Sequence, residues 1–349
     1  MSTATATKAA ESKARRARLR RSDSSSAGIR RRKRGNGFSF ADGAGTTITD
    51  EETLRRIRDL AIPPAWKEVW ICPDPNGHIQ ATGYDEAGRK QYRYHDRWDE
   101  RRANRKYAAM REFAAVLPKL RRSVRRDIAL EGMPRERALA TAVRLLDLGF
   151  FRIGSEEYAQ TNESYGLATI RREHVHREGE EIVFDFPAKS HQRRIQAIGD
   201  EAAITALEAM RRRRGGPDDL LAWKEGRRWR DVRSVDINEY IKDVIGTEFS
   251  AKDFRTWSGT VLAAAALAGE EKPATETAAK RTINRAVKTV ATALGNTPAV
   301  CRRSYIDPRV LDRYRDGETI DLGRRAAEAG TMSERTRQRI ERQVLELID

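Results

Sequence analysis

Two cysteines in 349 residues, Cys72 and Cys301, cannot make a disulfide scaffold and fit a reducing interior. Long apolar runs are missing as well. No stretch approaches the roughly 18–20 residues that cross a bilayer, and the first residues carry no apolar core of the kind a secretory signal requires. A soluble, cytoplasmic protein with no membrane partner is therefore expected. The five histidines, His78, His95, His174, His176 and His191, have no cysteine or carboxylate neighbours at ligand spacing, so no metal site is expected. The glycine-rich spots, Gly215-Gly216 and Gly295, lack the following Lys-Ser/Thr of a nucleotide-phosphate loop, so neither ATP nor another cofactor is expected.

What the chain has in excess is positive charge. Its 68 Lys and Arg outnumber 52 Asp and Glu, for a net +16. Residues 1–40 hold twelve of the cations and only two acids, so this stretch alone carries +10. Cations that neutralise phosphates release condensed counterions, which makes binding to a polyanion favourable and salt-dependent. Double-stranded DNA is the expected partner, with a cytoplasmic, nucleoid-associated location to match.

Residues 1–45 mix Ala, Ser, Thr and Arg with few large apolar side chains and read as a basic disordered tail, because so little burial cannot offset the entropy of ordering. A β-rich domain is expected over 46–103. It opens with a short helix from Asp50 to Leu60, stopped by Pro63-Pro64, and continues with strand-like runs at Val69–Cys72, Ile79–Gly83 and Arg89–Tyr94 separated by turn residues. A larger, mainly α-helical domain is expected over 104–349. Pro134 opens a helix whose Leu139, Ala142, Val143 and Leu146 share one face, and Gly149 closes it. Ser234 starts a helix with Ile237, Tyr240, Ile241 and Val244 inward. Further helices are expected over the alanine-rich 260–268, around 282–294 and from Ser333. Glu181–Phe186 and Arg193–Ile198 read instead as a β-hairpin inserted in the helical domain. The fold class is thus α+β.

Four stretches carry the chemistry: Phe150-Phe151-Arg152-Ile153-Gly154, Phe186-Pro187-Ala188-Lys189-Ser190, Lys252-Asp253-Phe254-Arg255-Thr256-Trp257, and Leu294-Gly295-Asn296-Thr297-Pro298 leading to Ser304-Tyr305. Together they resemble the type IB DNA topoisomerases of the poxvirus-like and bacterial kind, over about residues 48–315. These enzymes share a catalytic fold with the tyrosine recombinases. The family's catalytic order is Arg, Lys, Arg, His or Asn, and a nucleophilic Tyr. The resemblance therefore assigns Arg152, Lys189, Arg255, Asn296 and Tyr305 as the catalytic set. It also assigns DNA contacts to Tyr158, ahead of Thr161–Leu167, to Gln91, Tyr92 and Tyr94 in the sheet, and to Lys252. The fourth catalytic position is Asn296 where poxvirus-like members have His.

The implied activity is relaxation of positive and negative supercoils through a transient 3′-phosphotyrosyl nick, without ATP or a required metal, by a monomer clamped on DNA. The residue types suit it. Guanidinium forks stabilise the charge that builds on a phosphodiester under attack. A tyrosine with a pKa near ~10 needs cations beside it to react as a phenolate. A lysine buried near two arginines would be an acid strong enough to protonate the departing 5′-oxygen. Two alternatives stay open: a tyrosine recombinase or integrase, and a DNA-binding protein without catalysis. Against the first, Lys252 stands where recombinases usually carry the His of a His-x-x-Arg motif.

Overall fold

The computed structural model describes residues 18–189, 192–322 and 334–349, the side chain of Tyr158 excepted. The expected tail over 1–17, His191 and the start of the last helix at Ser333 lie outside the described residues. The chain divides into two compact units, residues 1–106 and 107–349. Among the described residues no helix is long and apolar enough to cross a membrane.

The first unit is built on a five-stranded antiparallel sheet of order β2-β1-β3-β4-β5: β1 (Ile29–Arg34), β2 (Gly37–Ala41), β3 (Lys67–Ile71), β4 (Ile79–Tyr84) and β5 (Lys90–Tyr94). Helix α1 (Glu51–Asp59) follows β2, its first turn capped by Asp50, which accepts from Thr53 N. The expected helix and three strands are present. The expectation of disorder fails over residues 29–41, where β1 and β2 form a hairpin with register Arg30↔Ala41 to Arg34↔Gly37 and Gly35 at φ 56° in its two-residue turn. Ile29 packs with Ile57, Val69, Ile71 and Ala81, and Phe40 packs against the same cluster. The preceding residues are tied down too: Ser22 donates to Ile79 O, and Trp70 Nε1 donates to Ser26 O. Two apolar anchors and a neighbouring strand order this segment despite its run of cations.

Helix α2 (Asp96–Ile128) begins earlier than the domain boundary expected at 103/104, which falls inside it. In the second unit, α3 (Arg135–Gly149) is buried along most of its length, with Leu139, Ala142, Val143 and Leu146 inward as expected. There follow α4 (Glu156–Asn162), a three-stranded sheet of β6 (Val175–Glu178), β7 (Glu181–Ala188) and β8 (Gln192–Ile198), α5 (Glu201–Arg211), a small hairpin of β9 (Ala222–Glu225) and β10 (Arg228–Asp231), α6 (Ser234–Ile245), α7 (Ala251–Leu267), α8 (Glu276–Leu294), α9 (Pro298–Ser304), α10 (Pro308–Asp316) and α11 (Glu334–Leu347). α3 is central, packing against α5, α6 and α7. The inserted hairpin is β7–β8, widened by β6, while β9–β10 was not foreseen. In α6 the inner face is Ile237, Tyr240, Ile241 and Ile245, with Val244 only half-buried.

Candidate active site

Arg152 leaves the C-terminal end of α3 on a loop fixed from both sides. Phe150 ends the helix in the left-handed conformation at φ 55°. Phe151 is buried against Phe184 of β7 at 4.9 Å between ring centroids. Beyond Arg152, the chain crosses residues 166–168 backbone to backbone. Leu167 N donates to Arg152 O and Ala168 N to Ile153 O, both at 2.8 Å. Gly154 and Gly166 meet at this crossing with no room for a Cβ on either.

Asn296 is placed by the end of α8. Gly295 takes the left-handed cap position at φ 58°, and Asn296 N bonds back to Ala291 O at 2.9 Å, so the helix closes with a turn that presents the Asn side chain. Arg152 Nη2 donates to Gly295 O at 2.7 Å and to Asn296 Oδ1. This fixes the amide orientation, with Oδ1 toward Arg152 and Nδ2 away. Asn296 Nδ2 is buried and meets no oxygen or nitrogen acceptor among the described residues; only the Cys301 thiol, a weak acceptor, faces it.

Arg255 sits on α7, 4% exposed, donating to Leu294 O at 2.9 Å and to Phe150 O. Its guanidinium lies 5.1 Å from the ring centroid of Tyr305, and its Nε is a second buried donor without a partner. Burial lowers the Arg255 pKa; the Tyr305 phenol opposes that shift through charge and a hydrogen bond, and Arg152 adds to it by repulsion. Thr297 and Pro298 start α9, and its end delivers half-buried Tyr305.

The backbone around Tyr305 is anchored residue by residue. A Cβ on Gly259 of α7 would stand 2.6 Å from Tyr305 O, so only glycine lets α7 approach this closely. Tyr107 donates to Ile306 O at 2.6 Å, and Asp307 N donates to Thr260 Oγ1 at 3.1 Å. Asp307, fully buried, caps α10 and pairs with Arg309 at 2.7 Å.

Lys189 is exposed at the tip of the β7–β8 hairpin, which corrects the expectation that it is buried near two arginines. It lines a cleft of about 420 Å³ together with Arg152, Gly295 and Asn296. The fold thus gathers Arg152, Arg255, Asn296 and Tyr305 by direct neighbours and brings Lys189 to a cleft that Arg152 and Asn296 also line. Sequence reasoning missed Arg194, which lines the same cleft from β8. The period of two sets Arg194 on one face and Arg193 on the other, yet nothing in the sequence said which faces α8. Arg193 pairs with Asp185, whereas Arg194 donates to Ala293 O at 2.6 Å.

The expected DNA-contact residues are scattered. Tyr92 and Tyr94 share one face of the edge strand β5, stacked at 5.9 Å, with Lys90 and Arg102 over their rings. Gln91 does not join them; its side chain donates to Asp85 Oδ2 at 2.9 Å. Lys252 is exposed in the first turn of α7, one turn ahead of Arg255. Tyr158 belongs to α4, and its side chain lies outside the described residues. Among the described residues no group of three or more His, Cys, Asp or Glu is placed to share a metal ion.

Comparison with known proteins points one way. Residues 95–322 match the catalytic core of eukaryotic DNA topoisomerase I, and residues 37–85 match the N-terminal domain of bacterial DNA topoisomerase IB. The chain is 32% identical over 271 residues to DNA topoisomerase 1B of Acanthamoeba polyphaga mimivirus, covering 75% of this chain and 80% of that one. It is 21% identical over 242 residues to DNA topoisomerase 1B of vaccinia virus (strain Copenhagen), covering 69% and 74%. It is also 27% identical over 191 residues to DNA topoisomerase 1 of Schizosaccharomyces pombe, covering 54% and 22%.

Proposed function

The chain belongs to the type IB DNA topoisomerases, and on that premise we propose that it relaxes supercoils of both signs by nicking one strand through Tyr305, letting it rotate, and resealing it. The observation that carries this reading is the pairing of Tyr305 with a buried Arg255, 5.1 Å from ring centroid to guanidinium, beside an Arg152 already hydrogen-bonded to Asn296.

Attack of the Tyr305 phenolate oxygen on a phosphodiester forms the Tyr–phosphorus bond and breaks the bond to the 5′-oxygen. The protein stays joined to the 3′-phosphate and a 5′-hydroxyl is released. Negative charge grows on the non-bridging oxygens as this happens, and fixed donors aimed at them lower the barrier. Arg152, Arg255 and Asn296 Nδ2, which has only the Cys301 thiol beside it, are those donors. Buried donors with no oxygen or nitrogen acceptor cost stability in the free protein, and a phosphate oxygen offers what they lack. The proton for the 5′-oxygen comes from Lys189, whose exposed position at the hairpin tip lets it reach in once DNA fills the cleft. The bond made is about as strong as the bond broken, so resealing runs the same steps backward without a nucleotide or a required metal.

DNA is held through its phosphates by the basic surface, with Tyr92, Tyr94, Tyr158 and Lys252 among the contacts and Gln91 available only if it leaves Asp85. The enzyme acts as a monomer on the nucleoid. Plasmids of positive and negative supercoiling, incubated with the protein in EDTA without ATP, test this. Relaxation of both is expected. Recombinant products would favour a recombinase, and retention of DNA without relaxation would favour a non-catalytic binder.

A further inference from the structure

We propose that Arg194 is a positioning residue for strand cleavage: it holds the last turn of α8 and Gly295, so that the Asn296 amide meets the phosphate in one fixed orientation. This rests on the catalytic reading above and adds to it a residue outside the set that the family resemblance assigns.

Three observations converge on it. Arg194 Nη2 donates to Ala293 O at 2.6 Å and to Gln196 Oε1 at 2.8 Å, tying β8 to the last turn of α8. A Cβ on Gly295 would lie 2.9 Å from Arg194 Nη1, so the guanidinium rests directly on the residue preceding Asn296. Arg152 grips the same two residues through Gly295 O and Asn296 Oδ1. The turn is therefore clamped by two arginines, one on its backbone approach and one on its side chain.

The charge arrangement argues that this is more than packing. No carboxylate among the described residues pairs with Arg152, Arg194 or Arg255. Burial, then repulsion from Arg255 and Arg152, pushes the Arg194 pKa down to about 10. Uncompensated cations this close together destabilise the free protein and are relieved by an anion, as a phosphodiester in the cleft lined by Arg152 and Arg194 would supply. An arginine needed only to join β8 to a neighbouring element would be less costly beside an acid, as Arg193 is beside Asp185 of β7.

The test is a double-mutant cycle on single-turnover cleavage of a duplex that loses its released strand. Arg194→Ala should slow cleavage by about 10–100-fold, the usual cost of a small misplacement of reacting groups, while DNA affinity changes less than about threefold. In an Asn296→Ala background the same change should cost less than about threefold, because the group it positions is gone. Thermal melting of each variant reports folding. If Arg194→Ala does not fold, Arg194→Lys, which keeps the charge but not the fork, is carried through the same cycle. Cleavage by the Arg194 variant within about twofold of the parent, or an equal loss in both backgrounds, overturns the proposal alone. Parent-like cleavage by Asn296→Ala overturns the reading of the site, and this proposal with it.

Discussion

In the proposed mechanism Tyr305 depends on cations that favour the phenolate, and Arg255 is held beside it by carbonyls rather than acids, which leaves its charge free to act on the phenol. The same logic separates the other side chains. Lys189 touches the cleft from an exposed hairpin tip, so its replacement removes the proposed proton donor and little packing. Lys189→Ala should slow cleavage by roughly 10²–10⁴-fold, and a substrate with a 5′-thiolate leaving group, which needs no proton, should recover most of the loss; an unrescued variant would rule Lys189 out as the acid. Asn296 has two jobs, accepting from Arg152 and offering Nδ2. Asn296→Ala should cost about 10²–10³-fold in single-turnover cleavage, the usual worth of one oxyanion donor. A loss under tenfold would mean that the amide is not aimed at the phosphate.

At the scale of elements, the site is assembled from ends: the end of α3, the tip of β7–β8, the end of α8 and the end of α9. Such ends were readable where a terminator residue marks them. Pro134 and Gly149 bound α3 in the sequence as they do in space, and the helix expected around 282–294 ends where α8 does, whereas α9 was not foreseen. β1 and β2 were not readable, because Ile29, Phe40 and Ala41 are too few to show alternation among the arginines and their partner strand begins at residue 67. Lys189 was assigned correctly to the cleft but wrongly to its interior, since a motif gives a residue's place in the chain and not its exposure. The crossing of residues 152–154 over 166–168 was equally hidden, being a contact between backbones. Gly166→Ala tests it: the new Cβ would stand 2.5 Å from Gly154 Cα. We expect about 1–3 kcal/mol of destabilisation, as for other overpacked sites, in urea or thermal unfolding, and slower cleavage because the Arg152 loop must shift. Unchanged stability would mean the loop yields freely.

On the scale of the whole molecule, the second unit is tied together by a buried ion network that has no part in the chemistry. Arg121 of α2 joins Asp147 of α3 at 2.9 Å and Glu341 of α11 at 2.6 Å, and Arg337 closes the ring onto Asp147 at 2.6 Å. Burial alone would raise the Asp147 carboxyl, but Arg337, Arg121 and Arg144 overcome it and hold the pKa to about 2. Because the folded value lies below the unfolded one of about 4, the stabilisation is fully present above pH ~4 and is lost as pH falls toward ~2, with a size of order 2 kcal/mol. Unfolding free energies measured between pH 5 and pH 2 should fall accordingly, and the fall should shrink in Asp147→Asn; an equal slope in both would remove Asp147 as its source. Glu341→Ala should cost about 3–5 kcal/mol by leaving Arg121 partly unpaired in the interior. This network holds α3, whose end leads into the Arg152 loop, while the proposed reaction rests on one bond. The most direct measurement of that bond is to denature the protein during turnover on DNA, digest the covalent adduct, and identify the modified peptide by mass. A single adduct on Tyr305, joined to a 3′-phosphate and absent from Tyr305→Phe, is expected. An adduct on another residue, or plasmid relaxation by Tyr305→Phe, would contradict it.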